Sequence, residues 1–107
     1  MDATKERMNH IGNSQDEIIE LDVGDKYFKV RRKMLMKVPG SDLAAYFSGS
    51  HQQKLTDEGR VFLDRDAEMF NYTLSYLRND LYIAPFGSEF LQKQFEAELK
   101  YWKLDIK

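Results

Sequence analysis

The sequence predicts an α+β domain. Apolar residues alternate with polar ones near residue 20, which is the period of a strand, and they recur every three or four residues beyond residue 67, which is the period of a helix. The length of 107 residues suits one domain with one modest core. Residues 1–16 have few large apolar side chains and no periodicity, so we expect a mobile tail there and the domain in residues 17–107.

Three short strands are predicted. The first runs from Ile19 to Val23, where apolar residues alternate with acidic ones, and Gly24 and Asp25 then provide a turn. The second strand is the returning sequence YFKV, and the third is VFL at residues 61–63, after a polar loop. The later sequence LYIAP is interpreted as a brief strand or an extended turn.

Short helices, about five in all, are predicted to pack on this sheet. The basic, Met-rich sequence RRKMLMKV ends before Pro39, and Ser41 is a good N-cap for the next helix. Asp66 occupies the N-cap position of a longer amphipathic helix, and Ser88 occupies that of the last helix. The apolar stripes of these two helices are Phe70, Leu74 and Leu77, and Leu91, Phe95, Leu99 and Trp102.

Composition excludes several classes of function. A formal net charge of −2, with both signs mixed along the chain, lacks the basic excess of nucleic-acid-binding proteins. The absence of cysteine excludes thiolate zinc sites and fits a cytoplasmic protein. His10 lies in the tail and His51 in a polar loop, so both are predicted to be solvated, and neither a metal nor a cofactor is expected. No segment approaches the roughly 18 apolar residues of a membrane span, so direct membrane insertion is not expected.

Asp64, Arg65 and Asp66 form the polar cluster that most needs an explanation. On a strand the two aspartates would share a face, and an Asp-x-Asp sequence at a strand end is one way in which phosphotransferases hold magnesium and a nucleophile. Such enzymes also need further ligands and a larger sheet, and neither is recognisable in this chain. A cap at the helix start is enough to explain Asp66. We therefore disfavour catalysis and expect Asp64 and Arg65 to serve in binding.

Several ordered segments resemble the potassium-channel tetramerisation branch of the BTB/POZ family, often called the KCTD type. That family opens with V-x-L-N-V-G-G and x-x-F-x-T, and this chain has IELDVGDKYFKV, with Asp22 for Asn and Asp25 for the second Gly. The segments VPGSDLAAYF and ELKYWKL are also similar to family patterns. The most specific match is to F-I-D-R-D-P-x-x-F-x-x-I-L-x-Y-L-R, present as FLDRDAEMFNYTLSYLR with Ala67 for Pro and Thr73 for Ile.

This resemblance implies a BTB/POZ-like fold and self-association into a ring-like homo-oligomer, either a tetramer or a pentamer. It places Asp64 and Arg65 at a strand-to-helix corner, where they would make charge-assisted hydrogen bonds to a neighbouring subunit. Asp66, Asp25 and Arg78 are the other candidates for that interface. Asp25 is included because it replaces a family glycine in the first turn.

The resemblance also implies two alternative roles. Some family members join substrates to a cullin-based ubiquitin ligase, and others are cytoplasmic assembly domains of voltage-gated potassium-channel subunits. The central motif is closer to the non-channel members, so we expect a ligase adaptor that binds itself and a cullin. Channel members that bind zinc between subunits use a His and several Cys, and without cysteine no zinc-stabilised assembly is expected here.

Overall fold

A computed structural model describes residues 17–49 and 53–105. The predicted tail of residues 1–16, His10 and His51 lie outside the described residues. The α+β class and the small three-stranded sheet are confirmed, with four helices in the described part of the chain. In chain order the elements are β1 (Ile18–Val23), β2 (Lys26–Arg31), α1 (Arg32–Leu35), α2 (Asp42–Tyr46), β3 (Val61–Leu63), α3 (Ala67–Arg78) and α4 (Glu89–Tyr101).

The sheet has β1 at its centre, in the order β2-β1-β3. β1 and β2 are antiparallel, with Ile19 opposite Val30, and β3 runs parallel to β1, with Val23 opposite Leu63. A parallel neighbour requires a crossover connection, and the segment that contains α1 and α2 provides it. The chain therefore returns to the sheet beside β1 before it enters α3.

One face of the sheet packs against the helices, and the other faces solvent. The alternation that predicted β1 gives its burial: Leu21 and Val23 are fully buried, whereas Ile18 and Glu20 are exposed. The predicted stripes of the long helices supply the other side of the core. The fully buried stripe residues of α3 are Phe70, Leu74 and Leu77. The stripe of the last helix is buried at Phe95, Leu99 and Trp102 and partly buried at Leu91, and Leu104 after it is also buried.

Phe70 lies at the centre of this core. Its ring meets the ring of Phe28 edge-on at 5.5 Å between centroids and the ring of Trp102 at 6.4 Å. Edge-to-face pairs of this kind stabilise a core beyond the area that they bury. One residue of α3 thus joins β2 to the end of α4.

The helix starts are capped as predicted from the sequence. The Ser41 hydroxyl accepts a hydrogen bond from the amide of Ala44 at 3.0 Å and caps α2. The Ser88 hydroxyl accepts one from the amide of Leu91 at 3.2 Å and caps α4. Each hydroxyl satisfies one of the amides that have no partner in the first turn of a helix.

Two buried contacts join segments that are distant in sequence. The carbonyl oxygen of Trp102 accepts a hydrogen bond from the amide of Asp42 at 2.8 Å, so the end of α4 satisfies the start of α2. The buried Arg32 donates from Nη2 to Glu17 at 2.7 Å and also donates to the carbonyl oxygen of Phe47. A buried guanidinium is stable only when it is paired in this way.

The segment LYIAP, interpreted as a brief strand or an extended turn, has no regular secondary structure from residue 82 to 86. Asp80 and Leu81 adopt positive φ angles of 57° and 66°, which turn the chain sharply after α3. Pro85 also lacks the amide proton that a strand would donate. The strand alternative is therefore wrong for this segment.

The turn between β1 and β2 packs tightly against the segment that follows β3. Gly24 and Asp25 have φ angles of 51° and 74°, as a two-residue hairpin turn requires. A Cβ atom on Gly24 would lie 2.7 Å from the carbonyl oxygen of Arg65, whereas one on Gly59, with a φ of 85°, would meet nothing within 4 Å. Gly24 is therefore constrained by contact as well as by conformation.

Replacing Gly24 with Ala should reduce the free energy of unfolding more than replacing Gly59 with Ala. Both variants place a side chain in the left-handed region, at a cost of about 1–2 kcal/mol. Only Gly24→Ala also overpacks a backbone contact, which adds roughly 1–3 kcal/mol. Urea unfolding of the two variants measures the difference, and equal losses would show that the contact with Arg65 is unimportant.

Candidate subunit interface

Asp64, Arg65 and Asp66 form the corner between the end of β3 and the start of α3. Asp64 and Asp66 are exposed, and Arg65 is half-buried. The Asp66 carboxylate accepts a hydrogen bond from the amide of Met69 at 2.9 Å and caps α3. The three residues lie just beyond β3, and Asp66 makes the helix cap that was predicted for it.

The Arg65 guanidinium is held by a carboxylate of its own chain. Its Nη2 donates to Glu98 Oε1 at 2.7 Å and its Nε to Glu98 Oε2 at 3.3 Å. Trp102 Nε1 donates to the same Oε2 at 2.9 Å. The Glu98 side chain is only 4% exposed, against 28% for Arg65. Three donors therefore satisfy a carboxylate that lies inside the fold.

The surroundings of Arg65 stabilise its charged form. The hydrogen bond with Glu98 is the main cause that raises the pKa of Arg65 above its ordinary value, and partial burial opposes it. The nearby Glu98, Tyr101 and Asp64 raise this pKa further by charge interaction. The guanidinium also lies 3.6 Å from the centroid of the Tyr101 ring, in a cation–π arrangement. These contacts favour the charged form of Arg65 and hold it beside Glu98.

A solvent-facing surface borders this ion pair, and we call Phe62, Asp64, Arg65 and Tyr101 the corner patch. All four line one cavity of about 340 Å³. Phe62 and Tyr101 are exposed despite their size. Aromatic residues and arginine are enriched in protein interfaces, so the composition of the corner patch suits contact with another protein.

The structure places Asp25 near the same corner. Its neighbour Gly24 packs against the carbonyl oxygen of Arg65, and Asp25 is exposed at the tip of the turn. The backbone contact thus brings the first turn of the chain to the start of α3. Asp25, Asp64 and Asp66 are exposed at this corner, and Lys54 and Arg65 line the cavity beside Asp64.

Arg78 is not part of the corner. It is the last of the 12 residues of α3, so it lies about 18 Å along the helix from the corner. Arg78 is exposed and lines a separate cavity of about 240 Å³ together with Lys29 and Arg31. The five predicted interface residues therefore fall on two surfaces, one at the start of α3 and one, with Lys29 and Arg31, at its end.

Two residues of evident importance were not predicted. Glu98 lies three residues after Phe95 and four before Trp102, so it falls on the buried stripe of α4, and a carboxylate there needs a partner. The burial of Glu98 could therefore have been predicted from this spacing. Asp22 has a buried oxygen, Oδ1, with no hydrogen-bond partner among the described residues. No pattern in the neighbouring sequence indicates that this oxygen would be buried without a partner.

Within residues 17–49 and 53–105, no three His, Cys, Asp or Glu side chains are grouped so that they could hold a metal ion. Over the same residues, none of the helices combines the length and the apolar character needed to cross a bilayer.

Comparison with known proteins places the chain in a family. A sequence model of the BTB/POZ domain matches residues 19–107. The chain belongs to the BTB/POZ family. It is of the potassium-channel tetramerisation type, so the resemblance seen in its motifs is confirmed. BTB/POZ domains of this type are interaction and oligomerisation modules, which defines the general function of this chain.

The relatives are longer proteins. The potassium channel regulatory proteins of Mus musculus and Homo sapiens are 32% and 34% identical to this BTB/POZ domain over 93 and 85 residues. These alignments cover 86% and 78% of the chain but 34% and 31% of the relatives. The BTB/POZ domain-containing protein KCTD18 of Bos taurus is 36% identical over 67 residues, which are 63% of the chain and 16% of that protein. The chain thus spans about a third or less of these relatives.

Replacing Glu98 with Ala should destabilise this BTB/POZ domain strongly. The change leaves the donors of Arg65 and Trp102 without their buried acceptor, and breaking a buried pair costs about 3–5 kcal/mol. The matched control is Glu96→Ala, an exposed residue of the same helix, which should change the free energy of unfolding by about 0.5 kcal/mol or less. Urea unfolding can be followed by the fluorescence of Trp102, the only tryptophan of the chain. Similar losses for the two variants would contradict the structural role of Glu98.

Proposed function

We propose that the domain self-associates into a ring-like homo-oligomer, a tetramer or a pentamer, and that the corner patch lies in the contact between subunits. The observation that carries this proposal is that two aromatic residues, Phe62 and Tyr101, are exposed beside the ion pair of Arg65 and Glu98. Because Glu98 and the Tyr101 ring already hold Arg65, a partner would order few side chains on binding. Preorganisation of this kind favours association.

A closed ring also explains why the candidate residues lie on two surfaces. Head-to-tail rings join two different surfaces of the same protein, one from each neighbour. The exposed carboxylates of Asp25, Asp64 and Asp66 at the corner are opposite in charge to the cations around Arg78. Opposite charge on two contacting surfaces aligns the subunits and accelerates their encounter.

We further propose that the oligomer is the BTB/POZ part of a cytoplasmic cullin-based ubiquitin ligase adaptor that acts by binding rather than catalysis. The motif FLDRDAEMFNYTLSYLR supports this role because it is more similar to the non-channel members of the family. A ring would present several copies of each surface, so weak contacts with a cullin or a substrate would be reinforced by multivalency.

A second role, assembly with potassium-channel subunits, has its own support. The mouse and human relatives at 32% and 34% identity are named potassium channel regulatory proteins. A domain that forms rings with itself could also join rings of related channel domains. The two roles share the self-association step and differ in the protein that the ring binds.

Sedimentation and light scattering test self-association. The chain of 12.6 kDa should form a single species with the mass of four or five subunits at micromolar concentration. Asp64→Lys should weaken this association roughly tenfold or more, because it reverses a charge in the corner patch. Asp64 is preferred to Arg65 here, since a carboxylate at position 65 would also face the buried Glu98.

Glu96→Lys is the control for that experiment, because it makes the same change of charge at an exposed position on α4. Its assembly should match that of the unaltered chain. A monomer at tens of micromolar for the unaltered chain would overturn self-association. Equal assembly of the two variants would remove the corner patch from the interface.

Calorimetry with the N-terminal helical region of a cullin that recruits BTB proteins tests the adaptor role. A specific interface of standard size should give a Kd of roughly 1 μM or lower. The parallel titration uses the cytoplasmic assembly domain of a potassium-channel subunit. Binding of the channel domain with no heat from the cullin would replace the adaptor role with the channel role.

A further inference from the structure

Tyr82 is an exposed tyrosine that belongs to neither a helix nor a strand. The chain has six tyrosines, and all of them lie in residues that the structure describes. Five are in regular elements: Tyr27, Tyr46, Tyr72, Tyr76 and Tyr101. Tyr82 lies in the irregular segment 82–86 between α3 and α4, and 62% of its surface is exposed. Another protein can therefore reach this tyrosine without disturbing a helix or a strand.

The two other exposed tyrosines, Tyr27 and Tyr101, are held by cations. Arg60 lies 3.9 Å from the centroid of the Tyr27 ring, and Arg65 lies 3.6 Å from that of Tyr101. A guanidinium over an aromatic ring stabilises the position of both groups. Tyr82 makes no such contact: within the described chain, no cation lies over its ring and no residue hydrogen-bonds to its hydroxyl. Its side chain can enter the cleft of another protein without losing an interaction of either kind.

The residues on either side of Tyr82 hold it in this exposed position. Leu81 and Ile83 are partly buried and pack against the hydrophobic core. The amide of Leu81 also donates a hydrogen bond to the carbonyl oxygen of Tyr76 at 2.7 Å, which fixes the turn after α3. Because both neighbours face the core, the Tyr82 side chain is held toward solvent.

The backbone of this segment has unused hydrogen-bonding groups. Residues 82–85 make no backbone hydrogen bond with any other residue that the structure describes. A segment of this kind adapts to a partner at low cost in stability. A protein kinase binds the peptide that it phosphorylates in an extended form, and main-chain hydrogen bonds hold extended peptides on their partners. The segment therefore has the backbone that a kinase substrate needs.

The charge of the surrounding sequence suits a tyrosine kinase. Asp80 lies two residues before Tyr82, and its side chain is 92% exposed. The sequence from residue 79 to residue 92 contains two acidic residues and no basic one. Many tyrosine kinases have basic residues beside the substrate cleft, and exposed carboxylates are complementary to them.

We propose that Tyr82 is a site of phosphorylation by a protein tyrosine kinase. The kinase transfers the γ-phosphoryl group of ATP to Tyr82 Oη: the bond between the γ-phosphorus and the bridging oxygen breaks, an Oη–P bond forms, the Oη proton passes to a base of the kinase, and ADP leaves. The product carries a charge of about −1.5 to −2 at a surface position. Such a group is recognised by phosphotyrosine-binding modules through arginine.

Incubation of the unaltered chain with ATP, Mg²⁺ and the catalytic domain of a tyrosine kinase tests the proposal. One receptor-type and one non-receptor-type kinase are used, and a copolymer of Glu and Tyr confirms that each is active. Mass spectrometry of the digested chain locates the phosphate. Tyr82 should be modified about tenfold faster or more than any other tyrosine, because the others would have to leave a helix or a strand. An unmodified chain beside a modified copolymer, or phosphate mainly at another tyrosine, overturns the proposal.

Tyr82→Phe and Tyr27→Phe are the matched variants for this experiment. Tyr27 is 63% exposed, so the two positions differ in backbone structure and not in exposure. Tyr82→Phe should lose the modification, whereas Tyr27→Phe should keep the rate of the unaltered chain. Equal rates for the two variants overturn the proposal. Tyr82 lines neither the corner cavity nor the cavity around Arg78, so a monomeric chain that is modified at Tyr82 overturns self-association and leaves this proposal standing.

Discussion

The fold depends on one buried carboxylate and its three donors. Glu98 lies on the core side of α4, where an unpaired charge would be strongly destabilising, and it is paired with Arg65 and Trp102. Arg65 belongs to the corner after β3, so the ion pair joins the last helix to the sheet. The carbonyl oxygen of Trp102 also accepts hydrogen bonds from the first two amides of α2. The hydrogen bonds that Glu98 accepts from Arg65 and Trp102 therefore help to fix the relative positions of the sheet, α2 and α4.

This arrangement separates the charges that serve the fold from those that face solvent. Arg65 is held by Glu98, and Asp66 is used as the cap of α3. Asp64 is exposed beside Arg65 and neither caps a helix nor satisfies a buried group. Arg78 lies at the other end of α3, about 18 Å away. The two ends of α3 thus differ in charge, and the proposed head-to-tail ring would join two such unlike surfaces.

Local patterns predicted most of the fold. The alternation at Leu21 and Val23 and the helical caps at Ser41 and Ser88 depend on near neighbours in sequence, and the structure shows them as expected. The partner of Arg65 could not be predicted in this way, because Glu98 lies 33 residues later and the contact depends on the docking of α4. The environment of Asp22 likewise depends on the register of β3, which no local pattern reveals.

An experimental structure of the assembled protein tests the central claim most directly, since it locates Arg65 and Asp64 in the same molecule. In each subunit Arg65 should stay within hydrogen-bond distance of its own Glu98. The Asp64 side chain should contact an adjacent subunit, because we propose that the corner patch lies between subunits. An assembly in which Arg65 leaves Glu98 to bind a neighbour, or in which Asp64 faces solvent, would contradict the division between internal and intersubunit charges.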